Sequence, residues 1–370
     1  MEHSGVTVAR LLVVHEYMRP GTPQDHQRGE MYADLFRRSG MEPAFMGRRP
    51  LPGLFLSGLP ARLSRHVRGS LIYRAWYRAV VAVVMRLNHL RILRAARTAD
   101  VVLLINTDSF DLVRRIREAS RARLVYDVAD VRTRYRPDRT RETERILSNV
   151  DAVTCDNRLT MRWASELNPR VHLWPQASYI EAFDARRHVS RRSADDRVRL
   201  GWVGTPSTSS SLYLILESLE DVSRAHANVD LRLLGLPDDH EILGRFEHVR
   251  ATWRERYATA DMIEEVLHMD VGLFPTYDLQ DTAWKGVTKA LIYMAGGAAV
   301  VCSPVGVVRD LVRDGENGLL ASGRSEWTTA LSTLIADPGS RARMADAGRQ
   351  DAERHSLDLC FSGLQAALRP

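Results

Sequence analysis

Short, continuous apolar runs alternate with stretches of helical spacing along most of the chain. ARLLVVHEY (9–17), ADVVLLINTD (99–108), RARLVYDVAD (121–130) and NVDAVTCDN (149–157) are apolar runs closed by polar turn residues. Runs of this kind predict strands buried on both faces. Between them EMYADLFRRSG (30–40), the stretch ending IREAS (116–120) and RETERILSN (141–149) carry helical spacing, the first stopping at Gly40. Residues 71–97 predict one long basic amphipathic helix, or two, packed on a sheet with its arginines toward water; peripheral membrane contact is the other reading.

The segment ARRHVSRRSADDR (185–197) has almost no apolar content and predicts a linker. The alternation then restarts. VRLGWVG (198–204), VDLRLLG (229–235), MDVGLFP (269–275) and AAVVCSP (298–304) predict strands. SSLYLILESLEDVSRAH (210–226) and TKALIYMAGG (288–297) predict helices, and LDLCFSGLQAALR (357–369) a closing one. Strands alternating with helices on both sides of a hinge imply an α/β protein with a ligand cleft between two halves.

Composition narrows the classes. The 370 residues, 45% hydrophobic and 26% charged, fit a folded globular chain of two domains. Cys155, Cys302 and Cys360 lie too far apart for a zinc motif and suit a reducing compartment. The N-terminus lacks a basic region followed by a long apolar run, so no signal peptide is expected, and Ala79–Met85 is too short to span a bilayer. The expected location is cytoplasmic, or peripheral at the inner membrane face. A net charge of +6 invites a nucleic-acid reading, but the arginines are scattered and no recognition module accompanies them; anionic small molecules or an acidic membrane surface fit as well, and no nucleic-acid partner is expected.

The chemistry gathers in the second half. Only two of the 52 basic side chains are lysines, and Lys285 and Lys289 stand four residues apart at the start of TKALIYMAGG. That spacing lets both ammonium groups converge. An ammonium is a compact charge with three rotatable donors, suited to a phosphate oxygen. Two loops of small residues flank them in sequence. One is Gly204, Thr205, Pro206, Ser207 and Thr208; the other runs through Val305, Gly306 and Val307 to Asp310. Small residues before a helix start leave backbone N–H groups to face an anion, although ordinary N-capping gives the same pattern. Together these residues predict a diphosphate site.

GWVGTPST, MDVGLFPTYD, WKGVTKALIYMAGGAAVVCSPVGVVRDLVRDGENGLL and SEWTTALSTLIADPGSRARMADAGR, in that order and spacing, resemble family 4 (group 1) glycosyltransferases across about 170 residues. The first half resembles them more loosely, through the Pro/Gly loop after the first strand, LVYDVADV and the stretch from Val150 to Tyr179. The resemblance implies the GT-B fold: two Rossmann-like domains whose parallel sheets face a central cleft. Boundaries follow as 1–187 for the acceptor-side domain, 188–197 for the linker, 198–350 for the nucleotide-sugar domain and 351–370 for the closing helix.

Departures from the family pattern are informative. Many members carry two glutamates eight residues apart where this chain has Trp284 and Ile292, and an Arg and Lys where it has TPSTSSS. A subset with a K-G-x-x-K pattern is the better match, with the charge lost from the Gly204 loop restored by Lys285 and Lys289. The frequent acceptor-side His reads Ala129.

The resemblance implies a hexosyltransferase that retains anomeric configuration by front-face attack. Its donor is a nucleotide-diphosphate sugar, used as substrate, with no other cofactor. The acceptor is a sugar, lipid or natural-product hydroxyl in antibiotic, glycolipid or polysaccharide biosynthesis. No convincing D-x-D is present, so metal independence is expected. Acceptor-side candidates are His15, Glu16, Gly21, His26, Arg28, Asp127 and Asp130, since strand C-termini carry the ligands in such folds. The strand-end His and Asp127 have plainer readings, a hydrogen-bonded structural residue and a helix cap. Two other functions stay open. A nucleotide-sugar epimerase or hydrolase would need His15 or His26 as acid/base, and a degenerate binding protein would explain the missing glutamates.

Overall fold

A computed structural model describes residues 8–15, 28–47, 71–105, 107, 109–128, 137–187, 195–279 and 282–369. The first half holds strands β1 (Ala9–His15), β2 (Met41–Gly47), β3 (Val101–Ile105), β4 (Arg123–Val128), β5 (Ala152–Cys155) and β6 (Val171–Leu173). Its helices are α1 (Ala33–Arg38), α2 (Leu71–Ala96), α3 (Phe110–Ala119), α4 (Pro137–Leu147), α5 (Arg158–Ser165) and α6 (Ile180–Arg187). The strands form one parallel sheet, ordered β2-β1-β3-β4-β5-β6.

The second half repeats the plan. Strands β7 (Val198–Val203), β8 (Val229–Leu234), β9 (Ala251–Arg254), β10 (Val271–Phe274), β11 (Ala299–Cys302) and β12 (Leu319–Leu320) make a second parallel sheet, ordered β12-β11-β10-β7-β8-β9. Its helices are α7 (Leu216–Ala225), α8 (Thr259–Leu267), α9 (Thr288–Gly296), α10 (Val308–Leu311), α11 (Gly323–Ala336), α12 (Pro338–Glu353) and α13 (Leu357–Leu368). The expected α/β fold of two Rossmann-like sheets is present.

The apolar runs have the predicted cause. Alternate side chains of β1 enter two different cores, Leu12 and Val14 on one face and Leu11 and Val13 on the other. β7 divides likewise, with Val203 in one core and Leu200 and Trp202 in the next. A strand buried on both faces has no use for polar alternation.

Two crossings tie the halves together. Helix α6 follows the first sheet yet packs on α8 and α9 of the second half, and α13 returns from the end of the chain onto β4, β5 and β6. The return is close, because a Cβ on Gly363 would stand 1.7 Å from the Leu173 carbonyl oxygen. Ser178 Oγ donates to the Ala352 carbonyl at 2.7 Å, and Ser178 N–H to that of His355 at 2.9 Å. Most of the expected linker lies outside the described residues; of its end, Asp195 is engaged by Arg199 at 2.6 Å.

One local expectation is corrected and another is extended. The helix expected from Ser210 begins as a 3-10 turn, Ser209–Leu214, and turns α-helical only at Leu216. Hydroxyls at 209 and 211 bond back to the carbonyls of Pro206 and Thr208, tightening that entry. Helix α2 is a single element of 26 residues with Arg78, Arg86 and Arg94 exposed as expected, and Val83, Leu87 and Leu90 are exposed on it too, which the helical repeat does not predict. No described helix is long and apolar enough to cross a membrane.

Candidate functional site

The two lysines stand on a short bridge between β10 and α9. A 3-10 turn, Thr282–Trp284, precedes Lys285, and Lys289 is the second residue of α9. Lys285 is exposed and Lys289 half-buried. Lys289 Nζ donates to Thr208 Oγ1 at 3.5 Å and lies over the Trp202 ring at 4.8 Å and the Phe274 ring at 5.7 Å. This ammonium is therefore held between the sheet and the first of the two small-residue loops.

Its surroundings disfavour its charge. Burial, and then the nearby Lys285 cation, push the Lys289 pKa down to about 7. The positive end of the α9 dipole works in the same direction. An amine beside a second cation and at a helix N-terminus holds its proton more firmly when an anion lies nearby.

Both loops are shaped by close backbone approach. Gly204 sits above Gly235, whose added Cβ would fall 2.0 Å from the Gly204 carbonyl oxygen; Tyr257 OH donates to the same oxygen at 2.8 Å. Thr208 closes the turn, its Oγ1 accepting from Thr205 N–H at 3.0 Å and donating to the Thr205 carbonyl at 3.1 Å. Pro206 and Ser207 are exposed at the tip. In the second loop Gly306 has φ +56°, and a Cβ there would stand 2.2 Å from the Ala283 carbonyl oxygen. The loop thus rests on the turn that precedes Lys285. Val305 and Val307 are buried anchors, while Asp310 is exposed on α10.

The first half meets this bridge directly. Asn157 Nδ2 donates to the Trp284 carbonyl at 3.4 Å, and the Trp163 and Trp284 rings meet edge-on at 6.5 Å. A Cβ on Gly286 would fall 2.1 Å from Gln176 Nε2 and 2.6 Å from Asp156 Oδ2. The two side chains are already bonded, Gln176 Nε2 donating to Asp156 Oδ2 at 2.9 Å. The glycine between the lysines is one of the places where the halves touch. Trp284 and Ile292, which stand where the family's glutamates would be, are accounted for by packing: Trp284 on the other half, Ile292 in the core beneath α9.

The acceptor-side candidates separate. Arg28 and Asp127 hold each other, Nη2 to Oδ1 at 2.6 Å and Nε to Oδ2 at 3.0 Å, with both side chains buried. Thr154 Oγ1 adds a bond to Asp127 at 2.8 Å, and the guanidinium lies over Trp174 at 3.7 Å from the ring centroid. Burial opposes the Arg28 charge, but Asp127 outweighs it, and the Arg28 pKa is raised. His15 is 3% exposed; burial, then Arg28, lowers its pKa to about 4, leaving it neutral at pH 7. Glu16, Gly21, His26 and Asp130 lie outside the described residues.

Asp156, Asn157, Trp163, Gln176 and Tyr257 carry these contacts, and none stands out in the sequence. Asp156 and Asn157 read as turn residues closing a strand; Asn157 does cap α5, accepting from Thr160 N–H at 2.9 Å, and the docking of the second half adds the Trp284 carbonyl to its partners. Among the described residues no three His, Cys, Asp or Glu side chains gather as a metal set.

Comparison with known proteins adds a family match and a fold. Residues 197–337 match the glycosyl transferases group 1 family, a stretch containing both lysines and both loops. Over 82 residues the chain is 35% identical to a D-inositol 3-phosphate glycosyltransferase of Rhodococcus jostii, which is 22% of this chain and 18% of the relative. The aligned stretch thus spans under a fifth of that relative's length. Across nearly the whole molecule the fold is that of sucrose-phosphate synthase from Thermosynechococcus elongatus, with TM-score 0.67, 14% identity, and 96% and 97% of the two chains covered. Anabaena HepE, solved in complex with UDP-glucose, gives TM-score 0.65 at 14% identity, covering 97% of this chain and 98% of that one.

Proposed function

We propose that the protein is a glycosyltransferase that moves a sugar from a nucleotide-diphosphate sugar to an acceptor hydroxyl. The observation that carries this reading is the Lys289 ammonium, held against Thr208 beside a second cation and at a helix N-terminus. The diphosphate lies between the 204–208 loop, the 305–307 loop and the two lysines. The match of residues 197–337 to group 1 glycosyl transferases supports the assignment, as does the UDP-glucose complex of the similarly folded HepE.

In the reaction the bond from the anomeric carbon to the phosphate oxygen breaks, and a bond to the acceptor oxygen forms. Charge builds on the leaving diphosphate, and Lys285 and Lys289 stabilise it in the groove. We assign retention of configuration, with the acceptor's proton passing to the departing phosphate on the same face. Charge compensation by lysine makes the transfer metal-independent and places the chain in the K-G-x-x-K subset. We place the halves at about 1–187 and 198–350, the first supplying the acceptor site. The buried, neutral His15 is poorly suited to shuttle protons, which weighs against the epimerase or hydrolase reading.

The test is to incubate the full chain with UDP- and GDP-linked sugars, with and without a panel of sugar, lipid and natural-product alcohols, in chelator. Acceptor-dependent release of nucleoside diphosphate, with the donor's anomeric configuration kept in the product, is the expected result. Binding of donor without transfer to any acceptor supports a binding protein instead, and release without acceptor supports a hydrolase.

A further inference from the structure

Helix α2 is apolar on the wrong side. Its C-terminal half packs inward through Asn88, Ile92 and Ala96. On the opposite face Val83, Leu87 and Leu90 are 56%, 56% and 52% exposed, at the spacing of one helical stripe. Trp76, seven residues before Val83, continues the stripe and is 39% exposed. Arg86 and Arg94 are exposed beside it.

Length carries the N-terminal end of this stripe, at Trp76, past the working edge of the sheet. The 26 residues of α2 extend about 39 Å, whereas β1, with 7 residues, spans about 23 Å. The helix ends four residues before β3 begins, so it runs antiparallel to the strands. Its first turns, with Trp76, therefore overhang the strand C-termini, the edge that carries His15, Asp127 and Asp156, while Leu87 and Leu90, about 14 and 9 Å from the helix end, lie alongside the strands. Between Ala75 and Leu87 no side chain is fully buried.

Along the helix itself and the sequence before it the charge has one sign. Residues 43–99 contain eleven Arg and no Asp or Glu, against a net charge of +6 for the whole chain, so everything else is net negative. Such local polarisation is not a general compositional bias. A narrow apolar ridge with guanidinium groups along its sides and indole and phenol rings near one end matches the layers of an anionic bilayer, apolar below and phosphate above.

We propose that the outward face of α2 docks on an anionic lipid surface, with Val83, Leu87 and Leu90 entering the headgroup boundary and Arg86 and Arg94 meeting lipid phosphates. Docking sets the bilayer against the rim of the groove on the first-half side. The contact is independent of donor chemistry, so it can fail or hold whatever the groove transfers.

Flotation of the full chain with vesicles of pure phosphatidylcholine, and of an equimolar mixture with phosphatidylglycerol, tests it. Partition onto the anionic vesicles should exceed that onto the neutral ones by at least about tenfold and fall in high salt. The double variants Leu87→Glu/Leu90→Glu and Arg86→Glu/Arg94→Glu should each lower it by about tenfold or more, with melting temperature unchanged. Equal partition onto both vesicle types, or full retention by both variants, overturns the proposal. So does a concentration-dependent dimer that disappears in Leu87→Glu/Leu90→Glu, which assigns the face to a second copy of the chain.

Discussion

Lys289 Nζ and Thr208 Oγ1, 81 positions apart in the chain, meet at 3.5 Å. The contact joins the first turn of α9 to the loop after β7, so one ammonium touches both elements. An anion bound there would take over a donor that the protein otherwise offers only to a neutral hydroxyl.

Removing that ammonium should therefore weaken nucleotide binding more than it weakens the fold. Lys289→Ala and Lys285→Ala should each reduce affinity for the preferred nucleoside diphosphate by about 1–3 kcal/mol, the range for hydrogen bonds to charged groups. Lys289→Arg should restore it only in part, since a planar guanidinium replaces a compact charge with three rotatable donors. Isothermal titration measures both, and unchanged affinity in the two alanine variants would remove the site.

The Lys289 pKa of about 7 gives a dependence on pH with a definite sign. Its folded value lies below the 10.5 of a free lysine, so between the two the unfolded chain binds more protons than the folded one. Stability of the unliganded protein therefore rises with pH from about 7 toward 10.5, and this contribution is at its most unfavourable below 7. Diphosphate binding runs the other way, favouring the protonated amine and weakening as pH climbs past 7. Lys289→Met should flatten both slopes, in thermal melts without ligand and in titrations across that range.

Gly306 supports the lysines from beneath. It has φ +56°, and an added Cβ would lie 2.2 Å from the Ala283 carbonyl oxygen, a backbone atom that cannot rotate away. Gly306→Ala should cost about 1–3 kcal/mol of stability through strain in the left-handed region and displacement of the 282–284 turn. Lys285 lies two residues beyond Ala283, so donor affinity should fall too. Denaturant unfolding and titration of the same preparation check the pair of effects; a shift in neither means the loop has room that the geometry denies.

The parts of the fold that depend on local pattern were legible in the sequence. Strands such as Leu11–Val14 and Val101–Ile105 are buried on both faces, and their unbroken apolar runs say so. Helix α9 was legible for a similar reason, ending at Gly297 in the left-handed region that glycine favours. β9 was not, because Ala251–Arg254 lies at a sheet edge and is mostly exposed, with no apolar run to mark it. The exposed arginines of α2 were legible, but its exposed apolar stripe was not, since its apolar residues occupy both faces and a helical repeat alone cannot say which face meets the sheet. Lys285 and Lys289 stood out by composition. Asp156 and Gln176, which meet Gly286 from the first half, are common residue types that no local pattern marks.

Asp127 separates a structural role from a functional one. Its carboxylate accepts from Arg28 through two nitrogens and from Thr154, all in the interior beneath the strand ends. Loss of the carboxylate in Asp127→Ala strands a buried guanidinium, which should cost about 3–5 kcal/mol. Replacing both partners, as in Arg28→Met/Asp127→Leu, removes the stranded charge along with the pair and should recover much of that loss. Urea unfolding of the single and double variants measures the difference. If Asp127→Ala instead unfolds at the wild-type urea concentration while transfer is abolished, the carboxylate touches substrate and its pairing with Arg28 is incidental.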